Sequence, residues 1–159
     1  MKDGPYVSPT KGSMTYEKMF DDVLNFVRQD PSSRYRLIIG TDSHTRDDLL
    51  FVTAVIIHRE GKGARYYYKK RHQRKITSLR QKIFYETSLS LATASKLAES
   101  LAHSGFHGMD VEIHLDVGPR GDTKDLIRDV VGMVVGSGFD AKIKPNSYGA
   151  SKVADKYTK

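Results

Sequence analysis

The chain has 159 residues, enough for one domain around a single buried core. Apolar residues make up 38% and charged residues 28%, a composition that excludes a disordered chain, and no apolar run approaches the roughly 20 residues of a membrane span. An excess of 26 basic over 19 acidic residues gives a formal charge of +7, which favours polyanions such as nucleic acid, and the lack of cysteine excludes disulfides, thiolate metal ligands and thiol nucleophiles.

Residues 1–12, rich in Gly, Pro, Ser and Lys, read as a loose arm. They carry no apolar signal region, so a cytoplasmic location without membrane contact is expected. Over 13–30, Tyr16, Met19, Phe20, Val23, Phe26 and Val27 recur at spacings of three and four, which predicts an N-terminal helix stopped before Pro31. Three strands are expected next, at 36–41, 50–58 and 64–69, the last two joined through Glu60-Gly61-Lys62-Gly63, a hairpin signal. A long helix follows over 78–103, with Leu79, Ile83, Leu91, Ala94, Leu97, Ala98 and Leu101 as its buried stripe. Residues 111–117 alternate as a fourth strand, with Glu112, His114 and Asp116 on one face. Asp122 or Thr123 can cap another helix, a short strand spans 140–143, and a last helix starts near Ser147, beyond Pro145. Right-handed crossovers then give a single α/β domain over 1–159, a mixed five-stranded sheet with strands 1–3 antiparallel and strands 4–5 parallel, flanked by helices.

Four acids fall in four of these elements: Asp42 ends the first strand, Glu86 lies on the long helix, Asp116 ends the fourth strand and Asp155 lies on the last helix. Carboxylates placed where strands run out can converge, and such a group repels itself unless a hard divalent cation neutralises it. That is the chemistry of a two-metal phosphodiester site. Each acid also has a plainer role open to it: Asp42 and Asp116 as turn residues, Glu86 as a helix-surface charge, Asp155 as a solvated one.

The order of elements after Pro31 resembles the ribonuclease H-like superfold. Within it, Ile39-Gly40-Thr41-Asp42-Ser43-His44, Leu115-Asp116-Val117-Gly118 and Ser151-Lys152-Val153-Ala154-Asp155-Lys156 resemble the bacterial YkuK-like family of RNase H-related nucleases. The resemblance implies one acid on the first strand, one on the first long helix, one at the end of the fourth strand and one on the last helix. Asp42, Glu86, Asp116 and Asp155 stand there. It also implies two Mg²⁺ or Mn²⁺ ions, with Asp42 bridging them, Glu86 and Asp116 on one and Asp155 on the other. His44 shares a pleat face with Asp42, and His114 with Asp116. Either can relay protons or hydrogen-bond a ligating carboxylate, or be simply structural.

The run Lys69-Lys70-Arg71-His72-Gln73-Arg74-Lys75, after Tyr66-Tyr67-Tyr68, is the densest basic stretch. As a loop it would grip a phosphate backbone through Lys69, Lys70, Arg71, Arg74 and Lys75, unless alternate tyrosines are buried in the sheet. Gly118 to Lys124 lacks the spacing of a Walker loop and reads as a capped turn. The resulting expectation is a metal-dependent nuclease acting on DNA, RNA or a hybrid. The alternatives are a non-catalytic nucleic-acid-binding module on the same scaffold, or an interaction protein that works through its N-terminal helix as a homodimer. The nuclease reading requires Asp42 and Asp116 to face each other with no ammonium fixed between them.

Overall fold

A computed structural model of the protein describes residues 2–45, 48–74 and 76–146. In chain order it contains β1 (Lys2–Ser8), β2 (Gly12–Met14), α1 (Tyr16–Gln29), β3 (Tyr35–Thr45), β4 (Leu49–Arg59), β5 (Ala64–Gln73), α2 (Leu79–His103), β6 (Asp110–His114), α3 (Ile127–Gly136) and β7 (Asp140–Lys142). A 3-10 turn, Lys124–Leu126, leads into α3. The expected last helix lies outside the described residues.

One sheet takes all seven strands in the order β2-β1-β5-β4-β3-β6-β7. Its β3, β4 and β5 form an antiparallel meander, while β6 and β7 add in parallel beside β3. The five expected strands and their directions are therefore present, and two more extend the sheet. Those two replace the expected loose arm: β1 folds back on β2 and pairs antiparallel with β5. Pro5 is accommodated because the β1–β5 register shifts between Asp3 and Tyr6, where a bulge spares the ladder a missing N–H. Tyr6, only 6% exposed, ties the hairpin to the main core.

At the centre of the sheet, every residue of β4 from Phe51 to Ile57 is buried, as expected for a strand covered on both faces. The main core lies on one face, where Leu37, Ile39, Val55, Ile57, Tyr67 and Ile113 meet α1, α2 and α3. Thr15 caps α1 by accepting from the Lys18 N–H, and Ser78 caps α2 by accepting from the Gln81 N–H. On α2, Ala94, Leu97 and Leu101 are buried as expected, whereas Leu79 in the first turn is 42% exposed.

Beside this apolar stripe α2 buries a second, polar one: Glu86, Thr87, Ser90 and Thr93. Ser90 Oγ lies 2.8 Å from Thr41 Oγ1, which is 3.0 Å from Thr53 Oγ1. This hydroxyl chain pins the helix to β3 and β4. Four residues of helix rise about 6 Å and two residues of strand about 6.6 Å, so the Ser90–Thr41 contact sets Glu86 opposite Ser43.

Because Tyr6 is buried, Tyr6→Ala should destabilise the protein by about 3 kcal/mol in urea denaturation. An unchanged midpoint would show that residues 2–8 do not pack as described.

Candidate functional site

Asp42, which the sequence placed at a strand end, lies inside β3, half-buried and paired across to Val52 of β4. Thr41 and Ser43 point toward α2, as their bonds to Ser90 and Glu86 show. Alternation therefore sends Asp42 and His44 to the opposite pleat face. The parallel pairing with β6 stops at Gly40–His114, and Asp116 stands two residues beyond, where that register leads alongside Asp42. The fourth strand thus ends at His114, earlier than expected, and Asp116 belongs to the loop after it.

Beyond β6, the backbone stays anchored to the neighbouring chain. The Leu115 N–H donates to Lys142 O at 2.8 Å, and the Lys144 N–H to Val117 O at 2.9 Å. That geometry puts Lys144 next to Asp116, with Nζ 2.6 Å from Oδ1. Gly118 makes room for the Lys144 stem: a Cβ there would lie 3.1 Å from Lys144 Cβ.

Glu86 enters from α2, 6% exposed, accepting from the Ser43 hydroxyl at 2.6 Å. Burial lifts its carboxyl from the usual 4.5 to about 8. The Ser43 hydrogen bond and the Lys82 charge pull the other way, while the charges of Asp42 and Asp116 add to the rise. Asp116 in turn holds the Lys144 ammonium above the ordinary lysine value, with Asp42 and Glu86 contributing and partial burial opposing. Three carboxyl groups and one ammonium thus share one electrostatic environment at the ends of β3 and β6.

The condition that no ammonium be fixed between the aspartates is met only in part. Lys144 occupies Asp116, yet its side chain is 57% exposed. Exposed pairs of this kind contribute about 0–1 kcal/mol, so the ammonium is displaceable. Among the described residues, no three Asp, Glu or His side chains are gathered closely enough to hold a metal ion as they stand. The donor chemistry nevertheless fits a hard cation: the groups are all oxygen, and Glu86 is destabilised as an anion by burial and, beyond that, by the charges of Asp42 and Asp116. Asp155 lies outside the described residues.

His114 serves a different network from the one expected. Its Nε2 is 3.1 Å from Glu112 Oε1, and Glu112 Oε2 is 2.9 Å from Arg36 Nε. Burial holds this imidazole below its ordinary value despite Glu112. Thr123 was expected as a possible cap of the following helix, but its Oγ1 instead accepts the Gly118 N–H at 3.1 Å, closing the loop after Asp116.

The basic run does not form a loop. β5 continues to Gln73, and its pleat divides the cations between two faces. Lys69 and Arg71 turn toward the helices, Lys69 over the Tyr6 ring at 5.0 Å and Arg71 paired with Asp3 at 3.5 Å. Lys70 points the other way and is exposed, as is Arg74 just past the strand; Lys75 lies outside the described residues. Tyr67 is buried and donates to Asp22, so the three tyrosines offer no continuous stacking surface. Sequence reasoning missed Ser43 and Lys144. Strand parity was the available signal: Ser43 faces the long helix one pleat beyond Thr41, and Lys144 continues the short strand two residues past Lys142.

Residues 18–159 match the ribonuclease H-like family. The chain is also 41% identical over 164 aligned positions to the uncharacterized protein YkuK of Bacillus subtilis (strain 168), with 94% of each chain covered. The protein therefore belongs to the ribonuclease H-like family and, within it, groups with YkuK. No solved structure matches the chain. No helix among the described residues is long and apolar enough to cross a membrane.

A carboxyl whose folded value is raised binds more protons in the native state than in the unfolded one, so its contribution falls as pH rises. Without divalent cations, thermal stability should decline between about pH 4.5 and 8 through Glu86, and Glu86→Gln should flatten that decline. Identical pH profiles for both proteins would contradict the buried, charge-crowded setting of Glu86. Separately, Lys144→Met should tighten Mn²⁺ binding several-fold in calorimetry, by roughly 1 kcal/mol, because it removes the competing cation. Weaker binding in that variant would show that Lys144 supports the cation rather than competing with it.

Proposed function

We propose that the protein hydrolyses phosphodiester bonds in nucleic acid with the aid of divalent cations held by Asp42, Glu86 and Asp116. The observation that carries this reading is the electrical coupling of acids on β3, α2 and the loop after β6: burial and, beside it, the charges of Asp42 and Asp116 push the Glu86 carboxyl to about 8. Membership of the ribonuclease H-like family and the formal charge of +7 favour nucleic acid as substrate.

Bound Mg²⁺ or Mn²⁺ would supply a lowered pKa for an attacking water and positive charge for the departing oxygen. The remaining work falls to the chain. Ser43 holds Glu86 by one carboxylate oxygen and leaves the other available. Asp42 leaves β3 on the face opposite Ser43, and Asp116 follows β6 by two residues, where the β3–β6 register, if continued, leads alongside Asp42. Lys144 balances the site's charge until a cation enters, then is free to contact a substrate phosphate. His44, two residues past Asp42 on the same face, is suited to proton transfer there. Asp155 is a fourth acid for the set on the strength of the family resemblance.

A labelled single strand, duplex and RNA–DNA hybrid should be cleaved by the wild type with Mg²⁺ or Mn²⁺ and not with EDTA. Asp42→Asn should lower the rate by at least about 100-fold while leaving the melting temperature unchanged in EDTA. Salt-sensitive binding of the same strands with no turnover under any metal condition would favour the non-catalytic binding module instead.

A further inference from the structure

A hollow of about 680 Å³ opens where β1, β2 and β5 meet the start of α1 and the middle of α2. It is separate from the carboxylate site: Thr93, on its wall, lies seven residues beyond Glu86 on α2, about 10 Å along the helix. Its volume falls within the roughly 300–1,000 Å³ typical of small-molecule sites.

Two ammonium groups line it without a carboxylate partner. Lys69 Nζ lies 5.0 Å from the Tyr6 ring centroid, and Lys96 Nζ lies 3.9 Å from the Tyr16 ring centroid. Neither lysine forms an ion pair among the described residues. The acid on the wall, Asp3, is held 3.5 Å from Arg71 Nη1, so positive charge remains in excess. Ser100 Oγ lies 2.8 Å from Tyr16 Oη, which fixes the ring under Lys96. Burial, together with the charges of Lys96 and Arg71, holds Lys69 below the ordinary lysine value, and Asp3 only partly offsets them. An anion placed between the two lysines would relieve that strain on the charged form. The rest of the wall is largely apolar, with Pro5, Met14 and Ala92 beside the tyrosine edges. The hollow is much larger than a bare phosphate requires, so its chemistry suits an anionic head on a mostly apolar body.

We propose that this hollow binds a nucleoside 5′-phosphate, its phosphate between Lys69 and Lys96 and its base and sugar along the apolar wall. The nucleoside part rests on the proposed reaction, which leaves 5′-phosphate ends when the 3′ oxygen departs; the phosphate part rests on the two lysines alone. The phosphate can come from a free mononucleotide or from the end of a cut strand.

Calorimetry in EDTA distinguishes these cases, using adenosine 5′-monophosphate, adenosine and a short 5′-phosphorylated oligonucleotide. The monophosphate should bind at least about tenfold more tightly than adenosine, and Lys69→Met and Lys96→Met should each cost about tenfold. Lys96→Arg should retain binding, and Lys62→Met, a surface control paired with Asp30, should not alter it. Competition by the oligonucleotide assigns the phosphate to strand ends as well; its failure to compete assigns the hollow to free nucleotide. Equal binding of adenosine and its phosphate, no binding of either, or full affinity in a Lys69→Met, Lys96→Met double variant would overturn the proposal. Asp42→Asn should bind the monophosphate normally, so loss of cleavage alone speaks against the proposed reaction and leaves this site standing.

Discussion

Negative charge concentrated where β3 and β6 end is the constraint that organises this molecule. Carboxyl groups that feel one another's charge in a partly desolvated place resist ionising together without compensation. The protein answers in three ways. Glu86 is held by the Ser43 hydroxyl and biased toward its protonated form, and Lys144 brings an ammonium against Asp116. The Asp42 side chain leaves β3 on the face opposite Ser43, so Glu86 and Asp42 approach the strand from its two sides. None of these devices contributes much to holding the sheet together. Their sense lies in keeping acids together that a purely structural design would have separated.

The scaffold supports that arrangement with polar as well as apolar contacts. A buried row of hydroxyls, Thr53, Thr41 and Ser90, runs from the central strand to α2. Each hydroxyl finds a partner, so the row costs little and fixes the helix against sliding. A one-residue rotation of α2 would carry Glu86 away from Ser43 and bring Tyr85 or Thr87 there in its place. The apolar stripe of Ala94, Leu97 and Leu101 fixes which side of α2 faces the sheet; the hydroxyl row fixes how far along it lies.

Much of this was legible in the residues. The five central strands and three helices follow from two periodicities, 2.0 and 3.6, and from the Gly and Pro that punctuate them. The N-terminal hairpin was not, because its short strands carry Gly4, Pro5 and, among the described residues, one buried apolar side chain, Tyr6; what makes them strands is the open edge of β5, a distant partner. Asp42 and Glu86 were legible as acids on the first long strand and the long helix, whereas Asp116 lies in the loop just past the strand it was expected to end. Their relation to Lys144 was not, since it depends on the register of two parallel pairings that no local pattern records. The basic run misled for a related reason: consecutive cations look like one patch in a sequence, but the pleat of β5 sends them to opposite faces.

The same pleat turned Lys69 inward, away from any surface stripe and into the hollow under the N-terminal hairpin. Two charge centres of opposite sign therefore flank α2, an acidic one at Glu86 and a basic one about 10 Å further along the helix. The account stands on the acidic one. A crystal soaked in Mn²⁺ and inspected for anomalous scattering tests it directly. The expected result is a peak between the Asp42 and Asp116 carboxylates, with the Lys144 ammonium withdrawn from Asp116. Density with no peak there, and Lys144 still bonded to Asp116 at high Mn²⁺, would contradict it.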